Sequence, residues 1–265
     1  MSDVLVILAH HDDEFFLAPL IRDECAAGAA VHVCFLTNGS LDGTPPEVRM
    51  RESHGALAGL GVGGDRIAEL GAQTGILDCG LAESAGAALS ALERGYAGRH
   101  FVRIYLMAWE GGHPDHDAAH MRGLAYADRA QPEARLFEFP LYNAFRAIPG
   151  LCQVMTLIPR PGSELLQRTL TGEEARACSS MREAYPSQQQ VFRSLAPAID
   201  WGLFTRGSFQ YRELGPRPDH ALRPHPGPLF YEQKFPLSFE MFRERVRSLE
   251  AAPSEGLEYG QEHDG

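Results

Sequence analysis

The apolar run Val4-Leu5-Val6-Ile7-Leu8-Ala9 passes without interruption into His10-His11-Asp12-Asp13-Glu14. A continuous apolar run rich in β-branched side chains reads as a strand buried on both faces. The polar cluster after it opens an amphipathic stretch to about Gly28. The pattern is strand, tight turn, helix, and the chain repeats it. Val31 to Thr37 is a second apolar run, Asn38 to Pro46 carries turn chemistry, and Glu47 to Leu60 has helical period before the stop Gly61-Val62-Gly63-Gly64. That glycine run ends a helix instead of opening one, so it makes no phosphate cradle.

The alternation continues with a short strand near Arg66 to Leu70, an Ala-rich helix over Leu81 to Tyr96 and an apolar strand over Phe101 to Ala108. A helix over Asp115 to Arg129 and a strand over Arg135 to Leu141 follow. Strands alternating with helices at this spacing predict an α/β, Rossmann-like fold: a mainly parallel sheet with helices on both faces and right-handed crossovers. Ligand chemistry then belongs at the carboxyl ends of the strands. Past Pro140 the period is less regular, with a strand or hairpin near Leu151 to Ile158, a helix over Gly172 to Tyr185, and a Pro- and aromatic-rich stretch from Leu214 to Pro236. The expectation is one domain over residues 1–251, its catalytic part about 1–141 and an irregular cap about 142–251. A polar, Gly-rich tail over 252–265 is expected to be disordered.

A formal charge of −11, from 24 basic and 35 acidic side chains, leaves no basic face for a phosphate backbone, so nucleic acid is not an expected partner. Cys25, Cys34, Cys79, Cys152 and Cys178 are odd in number and form no CxxC pair, which fits free thiols in a reducing compartment. No apolar run is long enough to span a bilayer and the first residues carry no signal-peptide pattern, so the expected location is cytoplasmic, with no membrane insertion.

His10, Asp12 and Asp13 fall where the first strand ends; His113, Asp115 and His116 fall where the strand over Phe101 to Ala108 ends. Two clusters on one sheet edge are able to converge. Imidazoles and a carboxylate are ligand types that zinc accepts, and a set of two histidines and one carboxylate leaves a position open for water. Each cluster alone is more simply a capped turn, since Asp12 or Asp13 suits the start of the next helix. Together, at two strand ends of one sheet, they favour a metal.

The segment Ala9-His10-His11-Asp12-Asp13-Glu14 resembles the AHPDDE motif of the PIG-L/LmbE-like N-deacetylases, and His113-Pro114-Asp115-His116 resembles the same family's HPDH motif. Arg49 and Glu52 before Leu60-Gly61-Val62 are similar to its R-x-x-E spacing, and Tyr185-Pro186-Ser187-Gln188 to its Y-x-S-Q helix ending. The resemblance implies that His10, Asp13 and His116 bind Zn²⁺, or another divalent metal such as Fe²⁺. It implies Asp12 as general base, His113 as oxyanion stabiliser or acid, Asp115 orienting His113, and Arg49 facing the substrate. The implied reaction removes an N-acetyl group from a small-molecule N-acylated substrate, an amino sugar or its conjugate, with a non-sugar N-acyl substrate or a non-catalytic metal-binding protein as alternatives.

One departure is His11, which stands where the motif has proline; with the ligand spacing unchanged, it is expected to point outward. His120, a turn after His116, is expected to face solvent. Glu110 and Trp109 are candidates for the cleft wall, and His225 is a weak candidate from the cap. The His11-Asp12 doublet also raises an all-helical HD-type phosphohydrolase, against which the strand before His10 argues.

Overall fold

The computed structural model of the chain describes residues 2–40 and 43–248. Five strands, β1 (Asp3–Leu8), β2 (Ala30–Phe35), β3 (Ile67–Glu69), β4 (Arg103–Met107) and β5 (Arg135–Phe139), are parallel to one another. β1 and β2 are buried almost throughout, as their mainly apolar runs require. The helices include α1 (Ala18–Ala26), α2 (Pro46–Gly59), α3 (Leu70–Thr74), α4 (Ala85–Gly95) and α5 (Pro114–Ala130).

A short hairpin, β6 (Tyr142–Asn143) with β7 (Gln153–Val154), follows β5. Two further strands, β8 (Leu166–Thr169) and β9 (Ser208–Glu213), then join the main sheet antiparallel. The sheet order is β3-β2-β1-β4-β5-β9-β8. The chain therefore leaves β1 toward β3, returns, and leaves β4 in the opposite direction. Right-handed crossovers with opposite senses place α1 and α5 on opposite faces. α1 packs with α6 (Gly172–Met181), and α5 packs with α4. The crevice created by this reversal lies between the carboxyl ends of β1 and β4, where ligands of open α/β sheets collect.

Helix α5 lies close to the sheet because Gly123 faces it. A Cβ there would come within 2.5 Å of Leu106 and 3.3 Å of Ile7. That contact seats the first turn of α5, with its histidine motif, over β1 and β4.

The α/β sheet excludes the all-helical alternative. It also revises the reading of the second half, which extends the sheet with β8 and β9 instead of only covering its edge. Between these strands runs α7 (Gln189–Asp200), a helix the sequence reading left undefined. α8 (Phe230–Lys234) and α9 (Phe239–Ser248) close the described chain. The tail from Ala252 to Gly265 lies outside the described residues. No described helix is long and apolar enough to cross a membrane, and the cysteines are free.

Candidate metal and active site

The first motif sits on a strained turn. Asp12 has φ 113° and ψ −16°, outside the usual range of a residue with a side chain, and such positions cost on the order of 1–3 kcal/mol. Three contacts hold it. The Asp12 amide donates to Glu14 Oε2 at 3.0 Å, Arg49 Nη2 donates to the His11 carbonyl, and the same nitrogen lies 3.3 Å from Asp12 Oδ1. The strained turn aims Asp12 into a cavity of about 270 Å³ that is also lined by His10, Asp13, His113 and His116.

At the centre, three side chains converge. His10 Nδ1 is 3.2 Å from His116 Nε2, His116 Nε2 is 3.3 Å from Asp13 Oδ1, and His10 Nδ1 is 3.5 Å from Asp13 Oδ2. His10 Nε2 lies 3.0 Å from Asp115 Oδ2, an acceptor, so Nε2 carries a hydrogen and Nδ1 is the nitrogen that faces His116. Ligands bound at zinc distances to a tetrahedral centre stand about 3.3–3.4 Å apart, which these separations bracket.

The charge around these atoms also calls for a cation. Burial alone lowers the His10 pKa, but Asp78, Asp13 and the Asp115 hydrogen bond outweigh it and hold the imidazole well above its ordinary value. Asp13 is buried too, yet His116 and His10 drive its pKa down. Nδ1 of His116 is buried with no partner. The donor types, their spacing and the surplus of carboxylates fit a divalent metal.

His113 is the third imidazole nearby; ring nitrogens of His10, His113 and His116 lie within 4.8 Å of one another, a grouping able to hold a metal. Its hydrogen bonding points elsewhere. As the residue capping α5, His113 receives the Asp115 backbone hydrogen on Nδ1 at 3.1 Å, so that nitrogen is unprotonated. Burial, with His10 next, holds its pKa well below the ordinary value, and the neutral ring therefore carries its proton on Nε2. A nitrogen bearing hydrogen is a donor and not a metal ligand. Asp13, acceptor-only when ionised, completes the trio better.

Asp115 reaches both histidines differently from the expectation. Its carboxylate orients His10 and accepts the Cys79 amide at 2.5 Å and the Leu81 amide at 3.1 Å; only its backbone holds His113. Arg49 is also committed within the protein. It lines the cavity but is 5% exposed, with Nη1 donating to Asp78 Oδ2 at 2.6 Å and Nη2 directed at Asp12 and the His11 carbonyl. Its donors clamp the protein. Burial raises Asp12 to a pKa of about 8, with Arg49 opposing that rise.

Asp78 was missed, because an aspartate in Leu77-Asp78-Cys79-Gly80 looks like ordinary turn chemistry. It accepts from Thr37 Oγ1 at 2.5 Å and the Gly39 amide at 3.0 Å besides Arg49, tying three loops together. Glu52 and the Tyr185 segment, noted separately in the sequence, meet. Ser187 Oγ donates to Glu52 Oε2 at 2.5 Å, and Tyr185 donates to Glu14 Oε1 at 3.0 Å. Gln188 thereby lines the cavity.

Five other candidate residues lie elsewhere than expected. His11 does not point outward: it is 1% exposed, stacks on Phe35 and pairs with Glu69 at 2.8 Å. A proline would fill that space without the carboxylate contact. His120 is fully buried, with Nδ1 donating to the Met107 carbonyl at 2.7 Å. Glu110 is no cleft wall, for it is buried and accepts from the Leu141 and Tyr142 amides and from Asn143. Trp109 is packed against Phe239 and Phe242, and His225 bonds its neighbour Pro226 away from the metal-site cavity.

An α/β sheet with a histidine–aspartate group at its reversal point defines the class: a Rossmann-like protein with its site at the strand ends. A model of the PIG-L family, described as GlcNAc-PI de-N-acetylase, matches residues 5–127, which carry both motifs. Over that region the chain is similar to the PIG-L, or LmbE-like, family.

No curated protein matches the chain in sequence. Among solved structures it is similar to a triple mutant of a deacetylase (Orf2*T) of the teicoplanin biosynthetic pathway, at 17% identity and TM-score 0.58. That match covers 80% of this chain and 97% of the other. It is also similar to the zinc-inhibited form of teicoplanin deacetylase Orf2, at 14% identity and TM-score 0.54 over 80% and 97%. A third is the N,N'-diacetylchitobiose deacetylase of Pyrococcus horikoshii in complex with its inhibitor MPG, at 16% identity and TM-score 0.50 over 80% and 83%. At these identities the likeness is one of fold.

Proposed function

We propose that the chain is a metal-dependent N-deacetylase that hydrolyses the amide of an N-acylated amino sugar or its conjugate. The observation that carries this reading is the convergence of His10 Nδ1, His116 Nε2 and Asp13 at 3.2–3.5 Å, beside Asp12 and His113, which are held apart from that trio by their own bonds. His10, Asp13 and His116 would hold the metal, zinc in the first instance and Fe²⁺ as the alternative. When bound there, such an ion polarises the amide carbonyl and lowers the pKa of water.

Asp12 accepts the proton of the attacking water, and the strained turn keeps its carboxylate in reach of the cavity. Nε2–H of His113 donates to the carbonyl oxygen as it becomes an oxyanion. Asp12 then returns the proton to nitrogen, the C–N bond breaks, and amine and carboxylate leave. Arg49 keeps Asp12 in place, and Asp115 keeps the His10 lone pair directed at the trio. The family of de-N-acetylases and the deacetylase fold support the amino-sugar choice.

The test is to load the purified protein with zinc or Fe²⁺, offer N-acetylated amino sugars and amino acids, and measure free amine. Release from amino sugars that stops on chelation and returns with metal is expected. Release that ignores the chelator, or occurs only from amino acids, overturns the reading.

A further inference from the structure

The metal-site cavity adjoins a second and larger one. The two share His113, Tyr142, Val191 and Leu195 as a common wall. The second has a volume of about 480 Å³, within the range of about 300–1,000 Å³ typical of small-ligand sites. An acetyl group presents a single methyl, so nothing in an acetamide needs such a space.

The chemistry of the two cavities differs. The first carries Asp12, Arg49, Asp78 and Gln188 in its lining. The second is walled by Leu151, Cys152, Leu195, Ala198, Phe230 and Phe235, and among the described residues lining it Lys234 is the one with a fixed charge. Leu151 is 59% and Val191 46% exposed, which leaves apolar surface at its mouth. Large apolar side chains left in water around an apolar cleft mark a ligand site more often than chance surface.

The mechanism orients a substrate across the two. The amine must leave beside the group that returns its proton, which is Asp12. The amine-bearing sugar therefore occupies the polar side with Asp12, Arg49, Asp78 and Gln188. The acyl substituent departs from the carbonyl carbon in the other direction, past His113 and Tyr142. We infer that the apolar cavity receives an N-acyl chain longer than acetyl, so that the enzyme is a deacylase of medium-chain N-acyl amino sugars. The inference rests on the deacetylase reading above and narrows it. Each methylene taken from water into such a cavity is worth about a fourfold gain in affinity when fully buried, and about twofold when half exposed.

The test uses N-acetyl-, N-butanoyl-, N-hexanoyl- and N-octanoyl-glucosamine with the metal-loaded full chain, together with the octyl glycoside of N-acetylglucosamine. Turnover is read as free amine, and binding to the metal-free protein is read by calorimetry. The expected result is a kcat/KM that rises about two- to fourfold per methylene along the acyl series, with affinity rising in parallel. The octyl glycoside should match its parent.

Leu151→Asp, at the mouth, and Ala198→Trp, which fills the cavity from α7, should each lower the octanoyl-to-acetyl ratio about tenfold or more. Two variants at opposite ends guard against the misfolding of one. Hydrolysis of the acetyl compound with a flat or falling acyl series overturns the acyl assignment alone. A gain for the octyl glycoside in its place assigns the cavity to an aglycone and also overturns it. Hydrolysis of none of the compounds overturns the deacetylase reading; flat calorimetry then removes the acyl assignment too, and chain-dependent binding retains the cavity as an acyl site.

Discussion

His116 and His120 lie one turn apart on α5 and both are buried against carboxylates, yet their surroundings are opposite. Beside His116 stand Asp13 at 3.3 Å, Asp12 and Asp78 around the same cavity, and Asp115 on His10, with Arg49 as the guanidinium among them. Beside His120 stands Glu138, at 3.9 Å, but that carboxylate is already held by Arg212 and by Arg160 at 3.0 Å. Burial lowers His120 to a pKa of about 3, with the arginines adding to the effect. The comparison teaches that a histidine next to a carboxylate says little about metal. The balance of the neighbouring charges decides. A surplus of carboxylates attracts a cation, whereas a carboxylate shared by two guanidiniums is satisfied.

The largest effect expected comes from breaking the first of these groups. Asp13→Ala removes both a donor and a charge, so metal content and turnover should fall together, with excess metal restoring part of each. Asp12→Asn keeps the trio intact. Metal should stay bound, as measured by metal analysis, while turnover falls by about 10²- to 10⁴-fold, the usual worth of general-base catalysis. An active Asp12→Asn protein, or one that loses metal while Asp13→Ala keeps it, means that the two aspartates have been given each other's parts.

Arg49→Ala sharpens the same point at smaller amplitude. Arg49 opposes the upward shift of Asp12, so its removal must raise the Asp12 pKa further. The sign follows: the base is then protonated at higher pH, and the acid limb of the kcat/KM profile moves upward. A limb that stays in place would falsify the clamp.

What the sequence made legible follows the same division. The parallel strands β1, β2, β4 and β5 were readable because they are buried almost throughout and so are spelled mostly in apolar residues, whereas the short, half-buried β3 left a weaker mark. The two motifs were readable because they end two such runs. His11 and His120 were misread for one reason: their partners, Glu69 and the Met107 carbonyl, come from elements distant in sequence, and no local pattern announces a buried histidine. Asp78 was hidden likewise. β8 and β9 pair antiparallel near the sheet edge, with residues such as Gln167, Thr169 and Glu213 exposed, so their apolar content is too low to stand out. The larger apolar cavity is assembled from the loop after β4, the β6–β7 hairpin, α7 and α8, segments that no single window contains.

Glu138→Gln tests the second group. Removing the charge leaves Arg212 and Arg160 without their shared carboxylate, and breaking a buried pair in this way typically costs about 3–5 kcal/mol. Chemical denaturation should show a loss of that order, while metal content per folded chain stays at the wild-type value. Loss of metal in the folded variant would join the two groups into one site and undo the comparison.

The smallest effect is the most discriminating, because it reads the charge state of His120 directly. His120→Asn places an amide nitrogen near the position of Nδ1, so the bond to the Met107 carbonyl can be kept; at pH 7 the lost ring volume should cost about 1–2 kcal/mol. The pH dependence separates this from a simple packing defect. The folded pKa of about 3 lies below the ordinary value of 6.5, so the unfolded chain binds the proton first as pH falls. Stability contributed by the neutral, buried ring is therefore present above pH 6.5 and is lost progressively from there down toward about pH 3. Between pH 6.5 and 5 the wild type should lose about 2 kcal/mol through this group alone, a loss the asparagine variant does not suffer. The two denaturation midpoints should converge and meet near pH 5. A gap that stays constant over this range would show that His120 does not resist protonation in the fold, and that the arginines around Glu138 leave room for a second cation one turn from the first.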